Sequence, residues 1–252
     1  FSSFFMPRYF FEISYEGTNF LGWQKQAKGS TVQGSIESAL SKLCSMKPIS
    51  IMGCGRTDTG VHAKKYFFHT DLDEEIDHSQ FRFKLNLMLE KTISIHKIFQ
   101  VTDDLHARFN AVKRTYKYFI HFQKDAFKEN SSWWISQDLD LVLMNKAAKL
   151  LIGKMDFEAF SKKHTDVKTH ICTVTKAGFI LNDNELIFEI SANRFLRNMV
   201  RAIVGTLVEV GLHKISLEEF QDIIASKHRQ NAAASAPAFG LFLWDVSYPN
   251  LK

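Results

Sequence analysis

Cysteine is scarce in this 252-residue chain, and what there is cannot build a scaffold. Cys44, Cys54 and Cys172 are odd in number and far apart, with no C-x-x-C pair among them. That excludes a disulfide framework and a zinc ribbon, and it points to a reducing, cytoplasmic setting. No apolar run reaches the roughly 18 residues that a membrane span requires. Phe1 to Phe5 is apolar but too short for a signal peptide and has no basic residues ahead of it, so Met6-Pro7-Arg8 reads as a start with Phe1 to Phe5 as an extension. The phosphate-cradling G-x-x-x-x-G-K-[ST] run is missing, as are a G-x-G-x-x-G after a strand and any serine or cysteine nucleophile motif. His62 and His69 have no cysteine or carboxylate at ligand spacing, so no metal site is expected. Proline (4) and glycine (12) are also sparse, which makes the one place where glycines gather informative.

That place is Gly53-Cys54-Gly55-Arg56-Thr57-Asp58-Thr59-Gly60-Val61-His62-Ala63. Three glycines in eight residues signal backbone in positive φ or a close approach by another group, and hence a shaped loop. Arg56 and Asp58 stand two residues apart at its centre. Two readings of these residues are open: a tight turn in which Asp58 caps backbone N–H groups, or a loop that presents an ionised carboxylate beside a guanidinium.

The composition suits a soluble globule, with 45% apolar residues and 23 phenylalanines available to fill a core. The length allows one large domain or two small ones. Lysine and arginine exceed the acids by 32 to 27, a net charge of +5 that permits a polyanionic partner without demanding one. Periodicity gives a strand at residues 8–15, a helix at 31–46, a short strand near 49–52, the glycine loop, a strand from Tyr66, a helix around Phe81, Leu85 and Met88, and a strand at 93–101. That order is a split βαβ, ferredoxin-like arrangement. It recurs further on: a strand at 113–120, a helix at 138–152 capped by Asp138, a hairpin at 171–180 and 185–192, helices at 194–210 and 217–225, and a strand at 241–248. The expected fold is α+β. Residues 6–103 and 104–252 form two fused ferredoxin-like halves whose strands join in one broad, mostly antiparallel sheet. Helices cover one face, and the open face is a surface for RNA.

Three further stretches invite a functional reading. In the strand at 113–120, Tyr116 is flanked by Lys113, Arg114 and Lys117. It is either a cross-strand packing ring or a platform for a flipped base. If residues 194–210 are one helix, Arg194, Arg197, Arg201 and Gly205 share a stripe opposite the apolar Leu196, Met199, Ile203, Leu207 and Val210. The stripe is a solvated face or a cationic surface for RNA. Finally, Ala236-Pro237-Ala238-Phe239-Gly240-Leu241 precedes the last strand.

Gly55-Arg56-Thr57-Asp58-Thr59-Gly60-Val61-His62 closely resembles the G-R-T-D-A-G-V-H signature of the TruA family of tRNA pseudouridine synthases, with Thr59 in place of alanine. The resemblance extends along the chain. Tyr15 to Gln24 fits Y-x-G-x-x-F-x-G-W-Q, the strand around Tyr116 fits R-x-Y-x-Y, Phe195 to Gly205 fits F-L-x-x-M-V-R-x-I-V-G, and Ala236 to Leu241 fits A-P-x-x-G-L. Ala233, Ser235 and Glu90 depart from the usual glycine, threonine and proline. The resemblance implies isomerisation of uridine to pseudouridine at positions 38 to 40 of the tRNA anticodon arm, without a cofactor, by a homodimer. It implies Asp58 as the catalytic residue, Tyr116 and Leu241 against the target base, and Arg201 in contact with the aspartate. Arg56 and the cations Arg114, Arg194 and Arg197 are left for RNA. The competing readings are a non-catalytic RNA-binding module on the same double platform and a hydrolase with an aspartate nucleophile. The first gives Asp58 no reason to sit among arginines, and the second has no leaving-group acid.

Overall fold

The computed structural model describes residues 6–162, 167–249 and 251; Phe1 to Phe5 lie outside the described residues. The chain forms two compact units, one of the described residues up to Val112 together with those from Leu243 on, the other of Lys113 to Phe242.

The first unit runs β1 (Arg8–Tyr15), α1 (Val32–Leu43), β2 (Met52–Gly53), β3 (His62–Asp71), α2 (His78–Met88) and β4 (Ile93–Val101). β1 pairs antiparallel with both β3 and β4, and β2 pairs antiparallel with β3. This 4-1-3-2 order is the ferredoxin-like topology expected from the element sequence. β1 buries residues on both its faces, because aromatic side chains sit on each: Phe11 stacks on Phe68 at 4.5 Å, and Phe10 stacks on His69 at 5.7 Å. The apolar stripe Val32, Ile36 and Leu40 of α1 is buried. The helix starts where Thr31 accepts a hydrogen bond from the Gly34 N–H at 3.2 Å. β3 begins at His62 rather than Tyr66, so the glycine loop feeds directly into a strand.

The second unit comprises β5 (Lys113–His121), β6 (Trp133–Trp134), α3 (Leu141–Lys149), β7 (Gly153–Asp156), β8 (Ile171–Asn182), β9 (Glu185–Ala192), α4 (Met199–Gly211) and α5 (Leu217–Ser226). The last strand, β10 (Leu241–Ser247), starts here and continues into the first unit. β5, β9, β8 and β7 are neighbours in that order, all antiparallel, and β6 adds a short parallel pair to β5. Tyr118, Phe188 and Ile190 from the strands and Met144, Ile203, Leu207 and Phe220 from the helices are fully buried. α5 carries a reciprocal capping box between Ser216 and Glu219.

Two expectations about helix ends are corrected. α3 is capped by Asp140, whose carboxylate accepts from the Leu143 N–H at 2.8 Å, and not by Asp138. α4 starts at Met199, not at Arg194, because Asn198 adopts a left-handed conformation (φ 65°) that an α-helix does not tolerate. Arg194 and Arg197 therefore precede the helix, and the four-residue helical stripe does not exist; only Arg201 and Gly205 belong to α4. The apolar period gave no warning, since Leu196 is buried although it lies in the turn.

Candidate active site

The Asp58 loop is held by the segment that follows β1. The Trp23 N–H donates to the Thr57 carbonyl at 3.2 Å, and the Gly60 N–H donates to the Phe20 carbonyl at 3.3 Å. Within the loop, the Val61 N–H donates to the Asp58 carbonyl at 3.1 Å. Side chains finish the clasp: the Tyr15 and Thr57 hydroxyls are 2.9 Å apart and buried, the Tyr66 hydroxyl donates to the Gly55 carbonyl, and the Gly17 N–H donates to His62 Nδ1 at 2.9 Å. Tyr15 to Gln24 and the glycine loop, separate motifs in the sequence, are one structure in space.

The glycines explain how closely they meet. At Gly22 (φ 91°) a Cβ would lie 2.4 Å from the Thr57 carbonyl oxygen. At Gly17 it would lie 2.1 Å from that of Val61. Of the loop's own three glycines, Gly60 takes positive φ (76°) and Gly53 allows close approach by Tyr66 and Trp23, whose rings stack at 4.1 Å. Gly55 meets neither need: a Cβ there would have open space.

Clamped at the backbone on both sides, Asp58 is half-buried, while Thr57 beside it is buried. Arg56 is exposed and makes no ion pair with Asp58 among the described residues. Its charge is displayed outward.

In the second unit, Tyr116 on β5 is partly exposed and meets the Phe195 ring edge-on at 5.0 Å. On the same face, buried Tyr118 donates its hydroxyl to the Pro237 carbonyl at 2.8 Å. Burial raises the Tyr118 phenol above its ordinary range, so it remains a donor at neutral pH. The Tyr118 ring would lie 2.7 Å from a Cβ at Gly240, which leaves glycine as the residue that fits there.

Residues 232–236 are strapped to α4. The Ala236 N–H donates to the Arg201 carbonyl at 2.9 Å, and Arg201 Nε returns a bond to the Ala236 carbonyl at 2.7 Å. A Cβ at Gly205 would fall 1.9 Å from the Ala234 carbonyl oxygen. Thr206 Oγ1 accepts from the Ala233 N–H at 3.2 Å. Arg229 donates to the Ala233 carbonyl at 3.0 Å and to Ser235 Oγ at 2.9 Å, and Asn198 Nδ2 donates to the same Ser235 oxygen at 2.6 Å. The strap delivers the chain to Leu241, which is buried.

No pattern in the residues marks Arg229, Asn198 or Tyr118 as supports. Tyr118 and Asn198 lie inside recognised motifs, R-x-Y-x-Y and the stretch Phe195 to Gly205, and Arg229 stands a few residues ahead of a third. Arg114 Nη1 donates to the Asn193 carbonyl at 2.9 Å; Arg194 is half-buried and Arg197 exposed. Among the described residues, Asp156, Glu158 and His170 bring possible metal-ligand atoms within 4.8 Å of one another. Lys227 Nζ lies 3.4 Å from Asp156, and His170 Nδ1 lies 3.7 Å from Glu158.

Fold and site together define the class: an α+β protein of two ferredoxin-like units with a carboxylate on a locked loop. The chain belongs to the tRNA pseudouridine synthase family, whose model matches residues 13–110 and 147–249. It is similar to three proteins named tRNA pseudouridine synthase A. That of Parabacteroides distasonis is 47% identical over 245 residues, covering 97% of each chain. That of Porphyromonas gingivalis is 44% identical over 249 residues, covering 97% of this chain and 98% of the other. That of Bacteroides thetaiotaomicron is 44% identical over 247 residues, covering 97% and 91%. Arg56, Asp58, Arg194, Arg197, Arg201 and Leu241 fall inside the family match, whereas Arg114 and Tyr116 fall between its two stretches.

Proposed function

We propose that this chain isomerises uridine to pseudouridine in tRNA, at positions 38, 39 and 40 of the anticodon arm, with Asp58 as the catalytic residue. The reaction breaks the bond between ribose C1′ and uracil N1, turns the base, and joins C1′ to C5; the proton on C5 leaves to solvent and one proton is taken up at N1, so the product is an isomer of the substrate. Atoms balance with nothing added. The step needs an oriented carboxylate, a base taken out of its stack, and cations along the RNA backbone.

One observation carries the assignment of Asp58: the chain holds the backbone of this loop with a second motif, on both sides of the aspartate, while the carboxylate is only half-buried. A turn whose aspartate merely capped N–H groups would not need Gly22 and Gly17 pressed against it. Tyr116 and Leu241 are assigned to the base and Arg201 to the aspartate. Arg56, Arg114, Arg194 and Arg197 are assigned to phosphates. The strap across α4 and the Tyr118–Pro237 bond support these roles by fixing Arg201 and the run up to Leu241. The protein acts in the cytoplasm as a homodimer.

Release of tritium from an anticodon-arm tRNA transcript labelled at uridine C5 tests the reaction and the residue together. Wild type releases label in step with pseudouridine formed. Asp58→Asn, which keeps volume and removes charge, lowers the single-turnover rate by at least about a thousandfold while retaining tRNA affinity. A variant rate within tenfold of wild type would remove Asp58 from the chemistry.

A further inference from the structure

A column of rings in the first unit runs from the core to solvent. Phe10, fully buried, stacks on His69 at 5.7 Å with planes 15° apart. His69 meets His106 edge-on at 4.7 Å, and His106 stacks on Phe109 at 4.3 Å with planes 28° apart. Phe109 ends the column with 75% of its surface exposed.

The turn that carries it is closed by its own bonds. Asn110 Oδ1 accepts from the His106 N–H at 2.7 Å, the Asn110 N–H donates to the His106 carbonyl at 3.1 Å, and His106 Nδ1 accepts from the N–H groups of Arg108 and Phe109 at 3.0 and 3.2 Å. An Nδ1 that accepts twice is unprotonated. Burial and the charges of Arg8 and Arg108 hold the His106 imidazole below its ordinary range, which agrees. His69 Nδ1 likewise accepts from the Ala107 N–H at 3.1 Å, with its pKa pushed down to about 4, chiefly by burial. The exposed Arg108 guanidinium lies 5.7 Å from the centre of the Phe109 ring.

Singly exposed phenylalanines are ordinary and need no explanation. Phe127 is one: it is 98% exposed and has no ring stacked beneath it among the described residues. Phe109 differs because one face is already covered, its backbone is fixed, and a cation stands at the ring. We propose that Phe109 is a stacking platform for an unpaired base of the bound tRNA, with Arg108 supplying the neighbouring positive charge. The platform rests on the tRNA reading above. A ring immobilised before binding loses little freedom when a base settles on it, and any base offers a π-face, so the contact contributes affinity without selecting sequence.

Equilibrium binding of an unmodified anticodon-arm tRNA transcript at physiological salt tests the platform, with thermal melts to check folding. Phe109→Ala raises the Kd about tenfold, within the range that loss of one base–aromatic stack produces. Phe109→Leu, which keeps apolar bulk without the π-face, gives a similar loss, and Phe109→Trp restores binding to within about twofold. Phe127→Ala leaves the Kd unchanged. Phe109→Ala or Phe109→Leu binding within twofold of wild type, or Phe127→Ala matching the loss, would overturn the platform. Failure of the tRNA reading is seen separately, as wild-type protein that releases no tritium from the same transcript.

Discussion

At the scale of single residues, glycines discriminate a shaped loop from a merely glycine-rich one. Gly22 lies outside the Asp58 loop in sequence, yet its positive φ and the 2.4 Å that a Cβ would leave to the Thr57 carbonyl make it part of the loop's support. Gly22→Ala combines left-handed strain with a backbone clash and costs about 2 kcal/mol or more. Its pseudouridine formation falls further than its stability alone accounts for, because the clash bears on the peptide next to Asp58. Gly55→Ala, inside the signature itself, changes stability by no more than about 0.5 kcal/mol, since nothing stands within 4 Å of the added methyl. Thermal melts and tritium release for the two variants check this, and the reverse ranking would show that the clasp does not shape the loop. The sequence marked the loop as special, but it could not say which glycine served which need. That depends on what the other motif brings against each Cα.

At the scale of elements, strands were readable where apolar alternation ran for seven residues or more, as in β1, β4 and β9. The two-residue β6 and four-residue β7 left too little pattern to detect. The start of α4 misled for a physical reason: buried Leu196 keeps the helical period going through a turn that left-handed Asn198 ends. The strap on α4 was equally hidden, because it is made by backbone carbonyls of alanines that carry no pattern. Gly205→Ala tests it. The new methyl, 1.9 Å from the Ala234 carbonyl oxygen, lifts the strap from the helix, at a cost of about 1–3 kcal/mol for overpacking. The Ala236 amide, bonded to the Arg201 carbonyl, then exchanges its hydrogen faster, while amides of β8 and β9 keep their protection. Unchanged exchange at Ala236 would show that the segment is held from elsewhere.

At the scale of the whole molecule, the repeated element order gave two halves, but a strand's own alternation does not say which neighbour it joins. β10 resolves this by what its residues touch in the first unit. Lys65 Nζ lies 3.0 Å from Asp245, and the Val112 N–H donates to the Ser247 carbonyl at 2.9 Å. The Tyr248 hydroxyl donates to the Ala107 carbonyl at 2.6 Å, and its ring packs against Phe10 and Phe67 at 5.7 and 5.3 Å. The first unit is therefore discontinuous in sequence, and a fragment of residues 6–112 lacks part of its own core. Leu243, Val246 and Tyr248 are all buried, and at about 1.5–3 kcal/mol for each side chain their loss is comparable to the roughly 5–15 kcal/mol that holds a typical domain together. The fragment is expected to show no cooperative thermal transition by circular dichroism. Joining residues 243–249 to its C-terminus through a flexible glycine–serine linker restores one, because the strand then needs only to close a short loop. Substituting Tyr248→Ala in the joined fragment lowers its melting temperature again by removing both the ring contacts and the hydroxyl bond. A 6–112 fragment that melts cooperatively at the temperature of the joined form would mean that the first unit owns a complete core without β10.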